Sequence, residues 1–564
     1  MAKKELSTEV RVLLAFAISF VILIASQRLL VNPTPPAQEA ASEPAPSAVV
    51  AAEQPAEITP TPGLPTEPVQ GSSEQEITVE GNLYKVTFST RGAVVKSWEL
   101  RDYKDVVGNP LELVNPEATR QHGFPLSLWV AEEPLRREIN SGIYVASKKG
   151  DLVAPVTLTF DYSSGETIVR KQFSFTPDSY VAEVKTEVVR NGQLLAHGIA
   201  WPAEFGDAHD IMQGNLQASV FYRGPESIER LKPGSDDGAQ AEASGNFPFA
   251  GIEDRFFSAT VLAQEGGLRV TAYRQIMQLP EEKTRPSLGV VVGIENAAKN
   301  DLRLFVGPKA LDVLAAVDTR LPEIVDYGWF SFVAKPMFLA LQWIHSHVVG
   351  NYGWAIILLT IAINFIMFPL KIKSLRSTMK MQKIQPLIKA IQEKYKHLKV
   401  SDPRRQEMTK ETMGLYKKHG VNPVGGCLPV LLQMPFLFGF YKVLVVSIEM
   451  RNAHWMWWIS DLSAPEDLPV KILPLLMCGT QFTLQKMSPM PMPDPRQQKI
   501  MMMMPFMMVF FFWNLSSGLV LYWLTGNLMG IVQQVYINRT EMKHIIEERQ
   551  KTKSGKKKIA QRKD

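Results

Sequence analysis

Five apolar segments crowd the C-terminal part of the chain, at about 350–370, 424–447, 468–487, 499–513 and 517–537. Their length and apolarity suit helices that cross a hydrocarbon layer about 30 Å thick. The fourth is short, and the tight turn NLSSG joins it to the fifth, so these two read as a helical hairpin. The fourth is also the oddest in composition. KIMMMMPFMMVFFFW places six methionines within 501–508, interrupted by Pro505 and Phe506. Methionine is unbranched and polarizable, so it packs against many shapes without a fixed fit. On this stretch alone, filler for a helix bundle is the plainer reading and an adaptable contact surface the sharper one.

The rest of the chain is of another kind, and the mean hydropathy of −0.04 conceals the contrast. Residues 1–31 set Lys3, Lys4 and Arg11 before the apolar run VLLAFAISFVILIAS, which reads as a signal peptide or an uncleaved signal anchor. The uncleaved anchor is the reading taken. Residues 32–75 are rich in Pro, Ala, Glu and Thr, with no Lys or Arg, and read as an extended linker. From 76 to 320, stretches such as VTLTFDYSSGETIVRKQFSF alternate apolar and polar residues between turn residues, which predicts one all-β sandwich. Both cysteines, Cys427 and Cys478, lie in apolar runs, which excludes a disulfide framework or a cysteine metal site in 32–346. Asp207, His209 and Asp210 cluster in GDAHD, but no third ligand at metal spacing joins them, so they read as a turn and no metal is expected.

Residues 321–347 have apolar positions at helical spacing with Trp329, Phe330, Phe338 and Trp343 among them. They suit an amphipathic helix at headgroup level, or a helix docked on the sandwich. Between the first two apolar segments, 371–423 holds 14 Lys/Arg against 4 acids and reads as a basic helical hairpin with an apolar stripe at Met379, Ile384, Leu387, Ile388 and Ile391. It is a landing site for an incoming chain, a basic face on anionic lipid, or both. The tail 539–564 holds 10 Lys/Arg against 4 acids, whereas the loop 448–467 has Arg451 alone against four acids. With basic loops on the cytoplasmic side, both termini lie inside and the β domain lies outside, through six spans.

The motifs now resolve into a family. VDYGW (325–329), IMFPLKIKS (366–374), LYKKHGVNPVGGCLPVLLQMPF (415–436), WISDLSAP (458–465), DPRQQKIM (494–501) and SSGLVLYWLTGNL (516–528) resemble the YidC/Oxa1/Alb3 family of membrane insertases. LFVGPK (304–309) resembles the end of that family's periplasmic domain. The architecture is that of its Gram-negative branch. The resemblance implies a membrane α-helical protein of six transmembrane helices, five forming the insertase core at 348–538, plus an all-β periplasmic sandwich. It implies an inner-membrane location and no covalent catalysis, no catalytic residues and no cofactor. It implies clients that are nascent membrane proteins, received in a hydrophilic groove and released sideways into lipid. The Sec translocon, the ribosome (through the hairpin and basic tail) and membrane lipids would be partners, and DNA would not.

Residue by residue, the resemblance picks out Thr360, Asn364 and Gln433 for the groove, and Tyr522 and Trp523 against the client helix. It also makes the third and fifth spans, counted from the signal anchor, a client-contact slide; the methionine segment 499–513 is the fifth of these, and Met501, Met504 and Met508 are candidates. One departure stands out: the family usually has an arginine where this chain has Asn364. Lys371 is seven residues on and on the same helix face, about 10 Å toward the cytoplasm. Its side chain can snorkel partway back, which makes it the favoured substitute. Lys442, the only Lys or Arg well inside a span, sits near the periplasmic end by this topology, and a third reading is that hydration suffices with no charge.

Rival classes fare worse. The chain has no HExxH, GxSxG or Walker A motif and no in-span acid pair, which argues against an intramembrane enzyme. A solute transporter or lipid flippase with a ligand-binding β domain is the alternative, but repeated halves are missing.

Overall fold

The computed structural model describes residues 69–105, 108–207, 218–279, 283–295, 297–396, 402, 404–420, 428–488 and 495–560. The expected signal anchor, most of the expected linker, and His209 and Asp210 lie outside them. Among the described residues no cluster of His, Cys, Asp or Glu could hold a metal ion.

Alternation in the sequence becomes alternation in burial. Strand Thr167–Phe175 turns Thr167, Val169, Lys171, Phe173 and Phe175 into the core and leaves the residues between them half-buried. It pairs antiparallel with Val156–Ser164 on one side and Val181–Arg190 on the other. These are central strands of a ten-stranded sheet. A five-stranded sheet runs in the order Gln240–Gly245, Leu268–Gln278, Thr284–Ile294, Gly198–Trp201, Ser127–Trp129. Another runs in the order Pro110–Glu112, Val94–Lys104, Tyr84–Ser89, Glu76–Glu80, Gly150–Val153, with its last pair parallel. Aromatic rings fill the space between the sheets, with Phe88 4.9 Å from Phe173 and Trp98 6.2 Å from Phe175. Three short helices accompany the sandwich: α1 (Pro116–His122), α2 (Glu133–Ser141) and α3 (Leu311–Val317).

Lys171 breaks the apolar pattern of its own face and is fully buried. Its ammonium donates to the carbonyls of Gly92 (2.8 Å), Ala93 (3.1 Å) and Leu126 (2.8 Å). All three acceptor residues have positive φ, at 71°, 47° and 61°. That conformation costs a non-glycine residue of order 1 kcal/mol or more, so Ala93 and Leu126 need an external hold. One ammonium with three protons supplies it. A lysine, unlike any apolar residue, ties two turns to the middle of a strand.

The helical part begins at α4 (Ser331–Ile344) and continues through α5 (Tyr352–Lys394), α6 (Arg405–Lys418), α7 (Leu428–Val446), α8 (Ile472–Met487), α9 (Pro495–Phe512) and α10 (Ser517–Ala560). Among the described residues, each of the five apolar segments contributes a helix. By length and composition, one stretch among the described residues, Tyr352–Met381, can cross a membrane, and Gln433–Val446 and Met501–Phe512 are shorter apolar helices. Two boundaries read from sequence do not mark breaks in the backbone. α5 runs unbroken through residue 371 into the first arm of the basic hairpin, and α10 continues past residue 539 to Ala560. Charge changes at those points, but neither glycine nor a cap interrupts the helical hydrogen bonding. The hairpin arms meet where Met381, Ile384 and Ile388 pack against Leu415 and Tyr416, with Lys394 and Tyr395 both on Glu411. α4 packs Ala334, Met337, Phe338 and Leu341 into a cluster that holds residues of α5, α7 and α10 and also Phe221, Phe249, Leu262 and Phe305 of the sandwich, and exposes Phe332, Leu339 and Trp343.

The loop after α7 docks on the sandwich. Arg255 donates to the Val445 carbonyl at 2.5 Å and reaches the Ser463 carbonyl at 3.4 Å. Arg451 pairs with Asp207 at 2.6 Å, both side chains buried, and Ile448 enters the sandwich core. The same loop starts the next helix, because the Glu466 carboxylate accepts from the backbone N–H groups of Ile472 and Leu473. An acid at a helix N-terminus satisfies donors the helix cannot.

Burial pushes the Lys171 pKa down to about 7. The unfolded value is about 10.4. Between these values the unfolded chain holds the extra proton, so the lysine makes stability rise with pH from about 7 to 10. Opening free energies from amide exchange over Thr167–Phe175 should show that rise. Lys171→Met should abolish it and, at pH 10, where the neutral amine still donates two bonds, lower the free energies by about 2 kcal/mol, two carbonyl bonds at ~1 kcal/mol each.

Candidate functional site

The polar residues on α5 follow one face at helical spacing. Thr360 and Asn364 are buried, four residues apart. The Thr360 hydroxyl donates to the Ile356 carbonyl at 2.6 Å, and the Asn364 amide donates to the Thr360 carbonyl at 2.8 Å. Each thus spends a donor on its own helix. The Asn364 oxygen is left facing along the helix, and the Lys371 ammonium donates to it at 2.7 Å. Lys371 also reaches Gln533 Oε1 on α10 at 3.4 Å, while Gln533 Nε2 donates to the Asn364 backbone carbonyl at 3.1 Å. Asn364, Lys371 and Gln533 therefore form one closed network between α5 and α10, with Thr360 a turn away. Gln533 was visible in the sequence as a polar residue within an apolar span. Nothing in that sequence said which neighbour it would bond.

Gln433 stands apart from this network. It lies on α7 beside the Tyr522 hydroxyl, which it hydrogen-bonds. Tyr522 itself is buried, with its ring 4.6 Å from Phe440. Trp523 is half-buried, with its indole 5.0 Å from Phe512 and its N–H 3.5 Å from Gln481 Oε1. Other polar groups of the spans tie helices together. Asn527 donates to the Met477 carbonyl at 3.3 Å, and Ser517 donates to the Ala464 carbonyl at 2.9 Å. Lys442 lies against Gly328, just before α4, at the far end from Lys371.

The methionine helix divides its residues by face. Met508 packs on the helical core, and Met504 is half-buried. Met501 is more open. Outward lie Met503 (58% exposed), Phe506 (52%), Met507 (55%) and Phe510 (88%). Their spacing of three, four and seven is one helical stripe. Of the slide candidates from the sequence, Met501 alone is exposed; Met504, Met508 and Trp523 are half-buried and Tyr522 is buried. Composition cannot assign faces when methionine occupies all of them.

Pro505 explains a further contact. A proline has no N–H, so the carbonyl four residues back, at Met501, loses its helical donor. Gln485 of α8 supplies one, donating to the Met501 carbonyl at 2.8 Å. The side chain of one helix repairs the backbone of the next.

The comparisons with known proteins agree across the chain. Residues 343–544 match the family described as 60Kd inner membrane protein, and residues 76–340 match the YidC periplasmic domain. A protein of Pelobacter propionicus named membrane protein insertase YidC is 35% identical over 561 residues, covering 94% of this chain and 99% of that one. Proteins of the same name from Geotalea daltonii and Magnetococcus marinus are 32% and 33% identical, each covered to 99%, with 94% and 95% of this chain matched. A crystal structure titled as an active YidC insertase, its first transmembrane domain resolved, matches 83% of this chain at 18% identity and a TM-score of 0.36.

The Gln485 repair should be measurable as a coupling. Gln485→Leu should cost about 1–3 kcal/mol, the penalty for one stranded polar group. In a Pro505→Ala background, where the helix supplies its own N–H, the same substitution should cost less than half as much. Thermal or denaturant unfolding of the four proteins in detergent gives the cycle, and equal costs in both backgrounds would refute the repair.

Proposed function

Because this chain belongs to the YidC family, and is a membrane protein insertase with a periplasmic domain, we propose that its α5–α10 polar network is the element that draws client tails into the bilayer. The observation that carries the proposal is the Lys371 ammonium 2.7 Å from Asn364 Oδ1. A polar tail that must cross about 30 Å of hydrocarbon does so at lower cost if part of the path is wet and charged. Lys371 snorkels back along α5 to the depth of Asn364, where its family has an arginine. Thr360, Asn364 and Gln433 line the hydrated path on this reading, and Gln533 joins them. An ammonium and a carboxylate at 4 Å attract by about 4 kcal/mol at an effective dielectric of 20, enough to hold an acidic tail in transit.

The client's apolar segment then slides along α9. The outward stripe Met503, Phe506, Met507 and Phe510, with Met501, suits varied sequences because methionine adapts to many shapes. Tyr522 and Trp523 contribute from beneath, as packing for that surface. Six spans with both termini in the cytoplasm fit the Lys and Arg counts, and put the sandwich in the periplasm. The basic hairpin 371–423 and tail 539–564 suit contact with ribosomal phosphates and anionic lipid on the cytoplasmic side. Cooperation with the Sec translocon belongs to the same reading.

Purified protein in liposomes should protect the acidic translocated tail of a small client from protease. Lys371→Gln should lower that protection about tenfold, a loss near 1.4 kcal/mol. It should lower protection of the same client with a neutral tail less than twofold. Equal losses for both tails would remove Lys371 from the mechanism. No protection above empty liposomes, beside an active control insertase, would remove autonomous insertion and favour a transporter.

A further inference from the structure

Lys442 is a charge that the insertion mechanism above does not use. It stands on α7, at the end away from the basic hairpin, and α7 carries no acid. Neither does α4, which packs against α7. The lysine is half-buried, and its ammonium lies beside the backbone at Gly328. A Cβ on Gly328 would stand 3.3 Å from Lys442 Cε and 3.8 Å from Nζ. Gly328 has φ 66°, so a glycine both makes this turn and leaves room for the lysine. Among the described residues Lys442 has no hydrogen-bond or ion-pair partner. The acids just before Gly328 are taken by the sandwich. Glu323 pairs with Arg223 at 2.8 Å. Asp326 accepts the Gly328 N–H at 2.8 Å and lies 4.0 Å from Arg230.

Aromatic rings occupy the same end of α7. Phe438 is one turn before Lys442 and on the same helix face. It stacks on Phe330, with centroids 5.5 Å apart. Phe330 in turn lies 5.2 Å from Trp329 and 6.4 Å from Phe332. Trp329 is 86% exposed and Phe332 69%. The apolar surface runs on along α4 through Leu339 and Trp343, seven and eleven residues after Phe332 and on one helical face. A half-buried charge with no counter-ion is unfavourable, and so is a bare row of rings in water. This place therefore asks for one negative charge at the ammonium and for apolar cover beside it. A free anion meets only the first demand, and an apolar helix only the second. A phospholipid carries both in one molecule.

We propose that Lys442, with the rings of Trp329, Phe330, Phe332 and Phe438, forms a binding site for one anionic phospholipid in the leaflet away from the basic hairpin. The ammonium holds the phosphate, and the acyl chains lie over the rings. A net negative headgroup such as phosphatidylglycerol is favoured over a zwitterion, because the amine of a zwitterion brings a second cation to a place whose acids are already engaged. Bound there, the lipid ties the start of α4 to α7 through a charge that the fold itself leaves open. The site makes no use of the client path, so it stands or falls apart from the insertion mechanism.

Native mass spectrometry of the full chain, released from neutral detergent micelles doped with dioleoyl phosphatidylglycerol, counts the lipids that stay bound. The native protein should retain one phosphatidylglycerol more than Lys442→Gln does, and Lys442→Arg should restore it. Titration of the lipid should show an affinity about tenfold lower in Lys442→Gln. Trp329→Ala, which changes an exposed ring and keeps the charge, should lower it about threefold. Lys335→Gln, which removes an exposed cation from α4, should leave it unchanged. Without lipid, Lys442→Gln should unfold at the native temperature, because the ammonium makes no bond in the fold. Equal retention by Lys442→Gln, or an equal loss in Lys335→Gln, would overturn the site in favour of diffuse surface charge. Equal binding of dioleoylglycerol, which lacks the phosphate, would remove Lys442 from it. Displacement of the lipid by glycerol phosphate at lower concentration than by phosphatidylglycerol would overturn it in favour of a small free anion. Displacement by an acidic nonapeptide at lower concentration would overturn it in favour of a polypeptide.

Discussion

A charge or polar group taken out of water must find its partners inside the fold, and this molecule is organised around two lysines that do so. Lys171 in the sandwich meets three backbone carbonyls, and Lys371 in the helical part meets two side-chain amides. The acceptors differ in kind, and so do the consequences. Carbonyls belong to the chain's path, so Lys171 fixes two turns in conformations that Ala93 and Leu126 would not hold alone. Amide side chains belong to no fixed chain path, so the contacts of Lys371 join α5 to α10 without fixing a turn.

The rest of the helical part obeys the same rule. Gln485 answers the carbonyl stranded by Pro505, Asn527 bonds across from α10 to α8, and Glu466 caps the start of α8. These contacts let short, proline-bearing helices stand in an apolar setting, since neighbours satisfy what the local backbone cannot. They also leave the outer stripe of α9 free of polar duty. Met503, Phe506, Met507 and Phe510 therefore face outward with nothing to specify a single partner.

The two parts are joined by the loop after α7. Arg255 holds its backbone, and the buried Arg451–Asp207 pair fixes its register on the sandwich. Removing one member of such a pair is far costlier than the pair is worth, because a bare charge is left buried. The loop that orients α8 is therefore the loop that carries the sandwich.

Much of this was legible in the sequence. The period-two alternation of 76–320 specifies a sandwich, and the apolar segments from 350 on specify helices, because burial on one face is a local pattern. The seven-residue interval from Asn364 to Lys371 put both on one face of α5 before any contact was known. Pairings between distant segments were not legible. Gln533 with Asn364, Gln433 with Tyr522, and Gln485 with Met501 each depend on where a second helix lies. Lys171 reads as an ordinary charge in an alternating strand until turns from 92–93 and 126 are brought over it. The methionine run shows the limit most plainly. Sequence determined that α9 would be soft and apolar on every side, while the packing of α8 and α10 against it decided which side remained open. Periodicity records which residues avoid water, but the partner each one meets is set by contacts far apart in the chain.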